Sequence, residues 1–440
     1  MDIPNLNERN IQAFDVSRVR PDVAAGTRYL VYAPLSGSFF VADSDGLAAL
    51  EASAADPRSA TGEMASLLER IGDRTLYDEL LVDENPVVVK NPSHYTRLSL
   101  LPTLRCNFHC SYCYSAKGRA STEIDSARLD TMVDWFMDDR RTECRERTIF
   151  ISGGGEPLMS WQGVRRAVER GRKLEKENRL NLTVLLMTNG SLLTASICDF
   201  LKANGVEVGL SFDILPQVQN LQRGHYQQVV DNLRMMVSRG LEPTVSSVIT
   251  PANIGLMMEM AVTMHRDFPA VHHLNFDPAM GMELYADAIE LDSFYDKFIV
   301  NFFETKRFCA QHGMTMDCNA LRHAMKLFPR YCQGKLCLVP NGDISVCHSV
   351  SSPRETGYDD FVYGRVGDGR VVFDEPKFLS LIGSQDSLPL ECRRCIARWH
   401  CGGGCLMYRR AYDDSRLAAV CRYTQNMTAT ILLKRMGDAV

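Results

Sequence analysis

The chain has 440 residues, 45% hydrophobic and 23% charged, with a formal net charge of −5, a balance suited to a globular protein of more than one domain. It offers no basic surface for nucleic acid, no apolar run long enough for a membrane helix, and no secretory signal over residues 1–20. Its 15 cysteines therefore point to metal binding in the cytoplasm and not to disulfides.

Residues 1–20 are polar and aperiodic, which predicts a flexible arm. From Thr27 two β-rich runs, TRYLVYA and SFFVA, are joined by Pro34-Leu-Ser-Gly37, a hairpin pattern. Helical patterns follow near Gly46–Ala54, Gly62–Ile71 and Leu76–Leu81, before Asn85-Pro86 breaks the run. A hairpin with small helices over residues 1–90 resembles the winged-helix leader-recognition domain of peptide-modifying enzymes. Such a domain binds an extended peptide by adding it to a sheet edge. A plain packing extension is the other reading.

From Leu98 to about Ala310 strand and helix alternate. Apolar runs suited to buried parallel strands lie at LSLLPTL, TIFISG, LTVLLMTN, VEVGLSF, PTVSSVI and HHLNF. Helical segments fall between them, for example near Ser126–Asp138, Trp161–Glu177, Tyr226–Val237 and Gly255–Met264. Such repeats imply a parallel β/α architecture with too few strands for a complete eight-stranded barrel.

Directly after the first of these strands stands Cys106-Asn-Phe-His-Cys110-Ser-Tyr112-Cys113. Three thiolates in one short loop leave one iron of a 4Fe–4S cube without a protein ligand. Zinc would need a fourth ligand, and His109 reaches the position only with difficulty. The C-x3-C-x2-C spacing, with an aromatic before the last cysteine, resembles the signature of the radical S-adenosylmethionine (radical SAM) superfamily. The resemblance implies a partial (β/α)6 TIM-like barrel over residues 95–315. It also implies an open iron that chelates SAM's methionyl group, and a 5′-deoxyadenosyl radical that removes hydrogen from substrate.

After the second strand comes Ser152-Gly-Gly-Gly-Glu156-Pro157. Glycines let backbone approach a ligand, and a carboxylate meets an ammonium group. The stretch resembles the family's GGEP motif, which implies that Gly154, Gly155, Glu156 and Pro157 bind SAM's amino group. Thr188 and Asn189, Ser211 and Asp213, and Arg223 resemble family positions lining the same pocket. Turn capping is an equal reading for Thr188 and Asn189. Relatives commonly carry glycine after the aspartate, where this chain has Ile214.

After residue 315 the pattern Cys392-x2-Cys395-x5-Cys401-x3-Cys405, with Cys421 beyond it, is accompanied upstream by Cys332-x9-Gly342-x4-Cys347. Paired C-x2-C units also bind zinc. Together with the first loop, the array over residues 316–440 resembles the SPASM extension of peptide-modifying radical SAM enzymes. That resemblance implies two auxiliary 4Fe–4S clusters, an outer one on Cys392, Cys395, Cys401 and Cys421 and an inner one on Cys332, Cys347 and Cys405. Cys337 is the available fourth inner ligand. Cys144, Cys198, Cys309 and Cys318 take no role.

The reading is of a maturase that binds a ribosomally made precursor peptide and installs an oxidative cross-link, fed by an external electron donor such as flavodoxin or ferredoxin. An anaerobic sulfatase maturase is the alternative, and a non-catalytic iron–sulfur electron carrier is an alternative of another class. Sulfatase maturases carry an aspartate base after the cysteine matching Cys347, where this chain has His348. His348 is accordingly the candidate base, and Asp277, Glu283 and Tyr285 are other polar residues near the expected cavity.

Overall fold

The computed structural model describes residues 4–58, 60–72, 89, 91–279, 281–328, 330–383 and 388–437. The helical pattern at Leu76–Leu81 lies outside them. Among the described residues no helix is long and apolar enough to cross a membrane.

The chain opens with a small sheet of order β1-β2-β3, formed by β1 (Gln12–Asp15), β2 (Arg28–Ala33) and β3 (Ser38–Asp43), all antiparallel. The hairpin closes where expected, with Ala33 opposite Ser38. The arm expected at residues 1–20 instead holds a helix, Pro4–Glu8, and strand β1 paired along β2. Its few apolar residues explain the difference: Leu6, Ile11, Phe14 and Val16 are spaced too irregularly to show a period, yet all four are buried. Helices Ser44–Ala55 and Gly62–Gly72 pack Leu47, Leu50, Leu68 and Ile71 against one face of this sheet. Its other face buries Phe14, Leu30 and Tyr32 against Ile396 and against Leu432 and Leu433 of the long helix Asp414–Arg435. The N-terminal unit is thus fastened to the cysteine-rich C-terminal segment. The Tyr32 Oη lies 2.8 Å from His400 Nε2, and Arg398 donates to Asn10 at 2.7 Å.

The main sheet begins with β4 (Arg97–Leu100), β5 (Glu146–Ile151), β6 (Asn181–Thr188), β7 (Val206–Ser211), β8 (Thr244–Ile249) and β9 (His273–Pro278). These are the six expected strands, parallel and in chain order. A seventh, β10 (Thr315–Asp317), pairs parallel with β9 and straddles the expected boundary at 315. Three residues with one buried side chain, Met316, leave too short an apolar run to be seen in sequence. At the opposite edge β11 (Leu336–Leu338) pairs parallel with β4, and β12 (Asp343–Ser345), β13 (Val362–Gly367) and β14 (Arg370–Phe373) continue antiparallel. The result is one eleven-stranded sheet running through the barrel into the C-terminal segment.

The parallel strands bury Leu98, Ile149, Val184, Leu210, Val245 and Leu274 in the main core. Period 2 turns their neighbours to the opposite, concave face. There Ser211, Ser246, Asn275 and Asp317 stand in register across β7 to β10. Some of the helices between strands carry side-chain N-caps, as where Asp125 accepts from Arg128 N at 2.9 Å to begin Ser126–Phe136.

Candidate functional site

The cysteine loop follows β4 at the C-terminal end of the parallel strands, the end where β/α barrels carry their chemistry. The thiols of Cys106, Cys110 and Cys113 lie near enough to act on one another electrostatically. Burial pushes the pKa of Cys106 and of Cys110 up, while Arg119 and Arg223 respectively pull them down. Arg119 also donates to Cys113 Sγ at 3.4 Å and to the Phe108 carbonyl. Cationic donors around thiols favour the thiolate, the form that ligates iron.

Tyr112, within the loop, donates to both oxygens of Asp213, at 3.1 and 2.9 Å, and accepts from Arg223 Nη1 at 2.7 Å. Asp213 has no exposed surface and also accepts from Gln222 at 3.1 Å. Burial raises its pKa, with Arg223 opposing. For Arg223 burial acts downward, but Tyr112, Cys110 and Asp213 outweigh it and the net shift is upward. The Gln222 carbonyl receives Ser111 N at 2.9 Å, which ties the cysteine loop to the segment after β7.

Ile214 sits at φ +65° and is fully buried. A β-branched residue in that region is strained. The turn that glycine would make easily is made here by isoleucine, held in place by the core around it.

Glu156 is buried and accepts three hydrogen bonds, from Thr188 Oγ1 at 2.6 Å, Asn189 N at 2.7 Å and Leu158 N at 3.1 Å. Burial raises its pKa while these donors hold it down. Gly155 lies against the cysteine loop so closely that a Cβ there would stand 1.8 Å from the Arg105 carbonyl oxygen. Gly155 N and Glu156 N donate to the carbonyls of Thr103 and Arg105 at 3.0 and 2.7 Å, so the glycine loop and the cysteine loop form one backbone unit. Gly154, at φ +65°, precedes this contact, and Pro157 begins the short helical turn Pro157–Ser160. Asn189 donates to Asn107 at 2.9 Å, joining the third strand end to the same loop. Ser211 ends β7 on the concave face.

The C-terminal cysteines form two further groups. Cys332 and Cys405 each feel Cys347, and Cys332 also feels Cys405. Cys392, Cys395, Cys401 and Cys421 act on one another. Burial pushes Cys332 and Cys395 up to about 11 and Cys401 up to about 12. Cys337 is fully buried on β11, opposite Ser345, and Cys347 is its thiol neighbour. His348 follows Cys347, with its Nδ1 at 2.5 Å from Lys335 Nζ and its ring edge-on to Tyr114. Asp277, one residue before the end of β9, accepts from Asn319 N at 2.6 Å and Asn275 at 2.8 Å. Tyr285 is buried, and Glu283 pairs with Lys117 at 2.9 Å on the surface.

Among the described residues no three His, Cys, Asp or Glu side chains converge closely enough to hold a single metal ion. A 4Fe–4S cube takes each thiolate on a different iron, so three or four cysteines grouped loosely around one space suit it. The donor set fits that group.

Residues 100–264 match the Radical SAM superfamily. The chain carries a radical SAM domain. Its radical SAM segment spans β4 to the helix after β8, and so contains both the cysteine loop and the Gly154–Pro157 loop. The serine-type anaerobic sulfatase-maturating enzyme of Klebsiella aerogenes is 22% identical over 350 residues, covering 71% of this chain and 80% of that protein. In fold, the chain is similar to native anSMEcpe with bound AdoMet, with a TM-score of 0.60 and 18% identity, covering 78% of this chain and 100% of that one. Streptococcus suis SuiB bound to precursor peptide SuiA gives a TM-score of 0.55 and 12% identity over 93% of this chain and 97% of that one. These similarities extend over most of the chain and agree with the fold described above. SAM and a 4Fe–4S cluster are the cofactors that follow.

Several site residues carried no sequence signal. Arg119 and Gln222 stand in a loop and at a helix end without a motif, and only the folded chain brings their polar groups to the cysteine loop. Lys335 lies between Cys332 and Cys337, and its spacing from them was the one available hint.

Proposed function

We propose that this enzyme is a cytoplasmic maturase that binds a ribosomally made precursor peptide through its N-terminal sheet and installs an oxidative cross-link. The observation that carries the reading is the outer edge of β3. Among the described residues β3 pairs with β2 alone, so its other edge offers unpaired backbone groups to an extended peptide. The same sheet is packed on the segment that holds Cys392, Cys395 and Cys401. A peptide-bound relative of this fold, SuiB with SuiA, supports the assignment.

Cys106, Cys110 and Cys113 would hold a 4Fe–4S cluster, which when bound would supply the reducing electron for SAM cleavage. Glu156 meets SAM's ammonium group, oriented by Thr188 and the Asn189 amide. Arg223, fixed through Tyr112 and Asp213, places its charge beside the Cys110 side of the loop. The C-terminal cysteine groups, with Cys337 as the fourth inner ligand, would hold two auxiliary clusters, which would supply an acceptor for the electron released by cross-linking. An external flavodoxin- or ferredoxin-like donor supplies the reducing electron.

Sulfatase maturation is the second reading, favoured by the similarity to sulfatase-maturating enzymes over 71% of the chain. His348 counts against it. The Nδ1 of His348 faces the Lys335 ammonium, and burial, with the charges of Lys335 and Arg97, lowers its pKa to about 3. A ring so placed is a poor proton acceptor at neutral pH. Anaerobic incubation with SAM, reductant and candidate precursor peptides, read by mass spectrometry, tests the proposal. Loss of two hydrogens with deoxyadenosine formation is expected. An aldehyde formed on a sulfatase peptide, with precursor peptides unchanged, would replace this reading by the second.

A further inference from the structure

The Lys335 side chain is half-buried, and its recorded hydrogen bond is to a histidine ring and not to a carboxylate. Placing an ammonium group in a partly desolvated site without an anion is unfavourable. The anions at hand are thiolates. The charge of Lys335 acts on Cys332, Cys337 and Cys405, and the His348 that holds it is the residue after Cys347. The lysine therefore stands beside three of the four cysteines assigned to the inner auxiliary cluster, and its His348 contact adjoins the fourth in sequence.

Its position is fixed from two sides. The Tyr363 hydroxyl donates to the Lys335 carbonyl at 2.9 Å, and β11 begins at the next residue, locked between β4 and β12. At the far end the His348 ring faces the ammonium, and that ring packs against Tyr114. A lysine at the surface would sample many rotamers and be screened by salt. This one is held.

The geometry points to Lys335 as the counter-charge that sets the reduction potential of the inner cluster, an inference that rests on the two-auxiliary-cluster reading above. Reduction of a thiolate-ligated cube by one electron makes it one unit more negative. A fixed cation nearby stabilises the reduced form more than the oxidised one and raises the potential. A cluster held by these residues would accept the one electron that a substrate radical gives up, its proton passing to water as the new bond closes. Lys335 thus favours the direction in which the electron must travel. His348 is its positioning residue.

The test is an EPR-monitored redox titration of the full-length, iron-replete enzyme, with added SAM marking the first cluster by its spectral change. In Lys335→Met, one couple that does not respond to SAM moves to lower potential, so that the ratio of reduced to oxidised cluster at a fixed poise falls several-fold. The other couples stay in place, and Lys335→Arg keeps the wild-type value. Should Lys335→Met load poorly, Lys335→Gln and His348→Phe shift the same couple in the same direction. Unchanged couples in an iron-replete Lys335 variant would overturn the inference. A wild-type protein with iron for one cluster alone, and no SAM-insensitive couple, would instead overturn the two-cluster reading and this inference with it.

Discussion

The Tyr112 hydroxyl donates to the Asp213 carboxylate at 2.9 Å while accepting from Arg223 at 2.7 Å, so an aromatic residue inside the cysteine loop is bolted to the end of β7 by a buried acid. The cysteine loop is not held by iron alone. Its backbone is tied to the glycine loop and to Gln222, and its tyrosine to Asp213. Protein contacts thereby fix the loop that carries Cys106, Cys110 and Cys113.

Removal of that acid takes away a carboxylate whose charge acts on the half-buried Arg223. Asp213→Ala is expected to destabilise the protein by about 3 kcal/mol, the usual cost of stranding a buried charge. Asp213→Asn, which keeps an acceptor for Tyr112, costs less. Denaturant unfolding of the two variants side by side measures the difference.

Glu156 is expected to make SAM binding depend on pH. Burial raises its pKa, and only the ionised carboxylate attracts SAM's ammonium. SAM affinity therefore weakens as pH falls through the raised pKa, beginning at a higher pH than for an ordinary glutamate. The stability term has the opposite slope. Between the ordinary and the raised pKa the folded state binds the proton more tightly, so this group's contribution falls as pH rises. Equilibrium dialysis with labelled SAM across pH checks the first effect, and Glu156→Gln both binds SAM at least roughly tenfold more weakly and loses the pH dependence.

Gly155→Ala is expected to remove the first cluster selectively. The added methyl would meet backbone of Arg105, one residue before Cys106, and no side-chain rotation relieves the overlap. Iron content falls by one cluster and the SAM-responsive EPR signal is lost, while auxiliary signals persist. Retention of that signal at full intensity would show that the two loops separate more easily than their hydrogen bonds imply.

Ile214→Gly sets two effects against each other. Relief of the positive φ returns about 1–2 kcal/mol. Emptying a fully buried isoleucine site costs about 2–5 kcal/mol and the loss of backbone restriction adds to it. The variant is expected to be less stable than wild type, even though glycine suits the turn. Thermal unfolding decides the sign.

Much of the candidate site was legible because its residues are close in sequence and chemically uncommon. Three cysteines within eight positions and a Gly-Gly-Glu-Pro run one strand later announce a local backbone unit, and the strand runs that separate them are long and apolar. The N-terminal strand β1 and the three-residue β10 were not legible. Each is too short for a period to emerge, and each exists because a neighbouring strand, β2 or β9, presents an edge to it.

Local chemistry in the chain thus determined the parallel β/α core, the cysteine loop and the C-terminal cysteine array, since strand periodicity and ligand spacing are short-range properties. The tertiary structure alone decided which charges stand beside which thiols. Arg119 reaches Cys113, Arg223 reaches Tyr112 from the far side of β7, and Lys335 is turned toward His348. It also decided that β11 joins β4, so that the cysteine segment continues the barrel's own sheet. Those relationships join residues up to 238 positions apart, as where Tyr95 donates to the Gln333 carbonyl, and packing over such separations leaves no pattern along the chain.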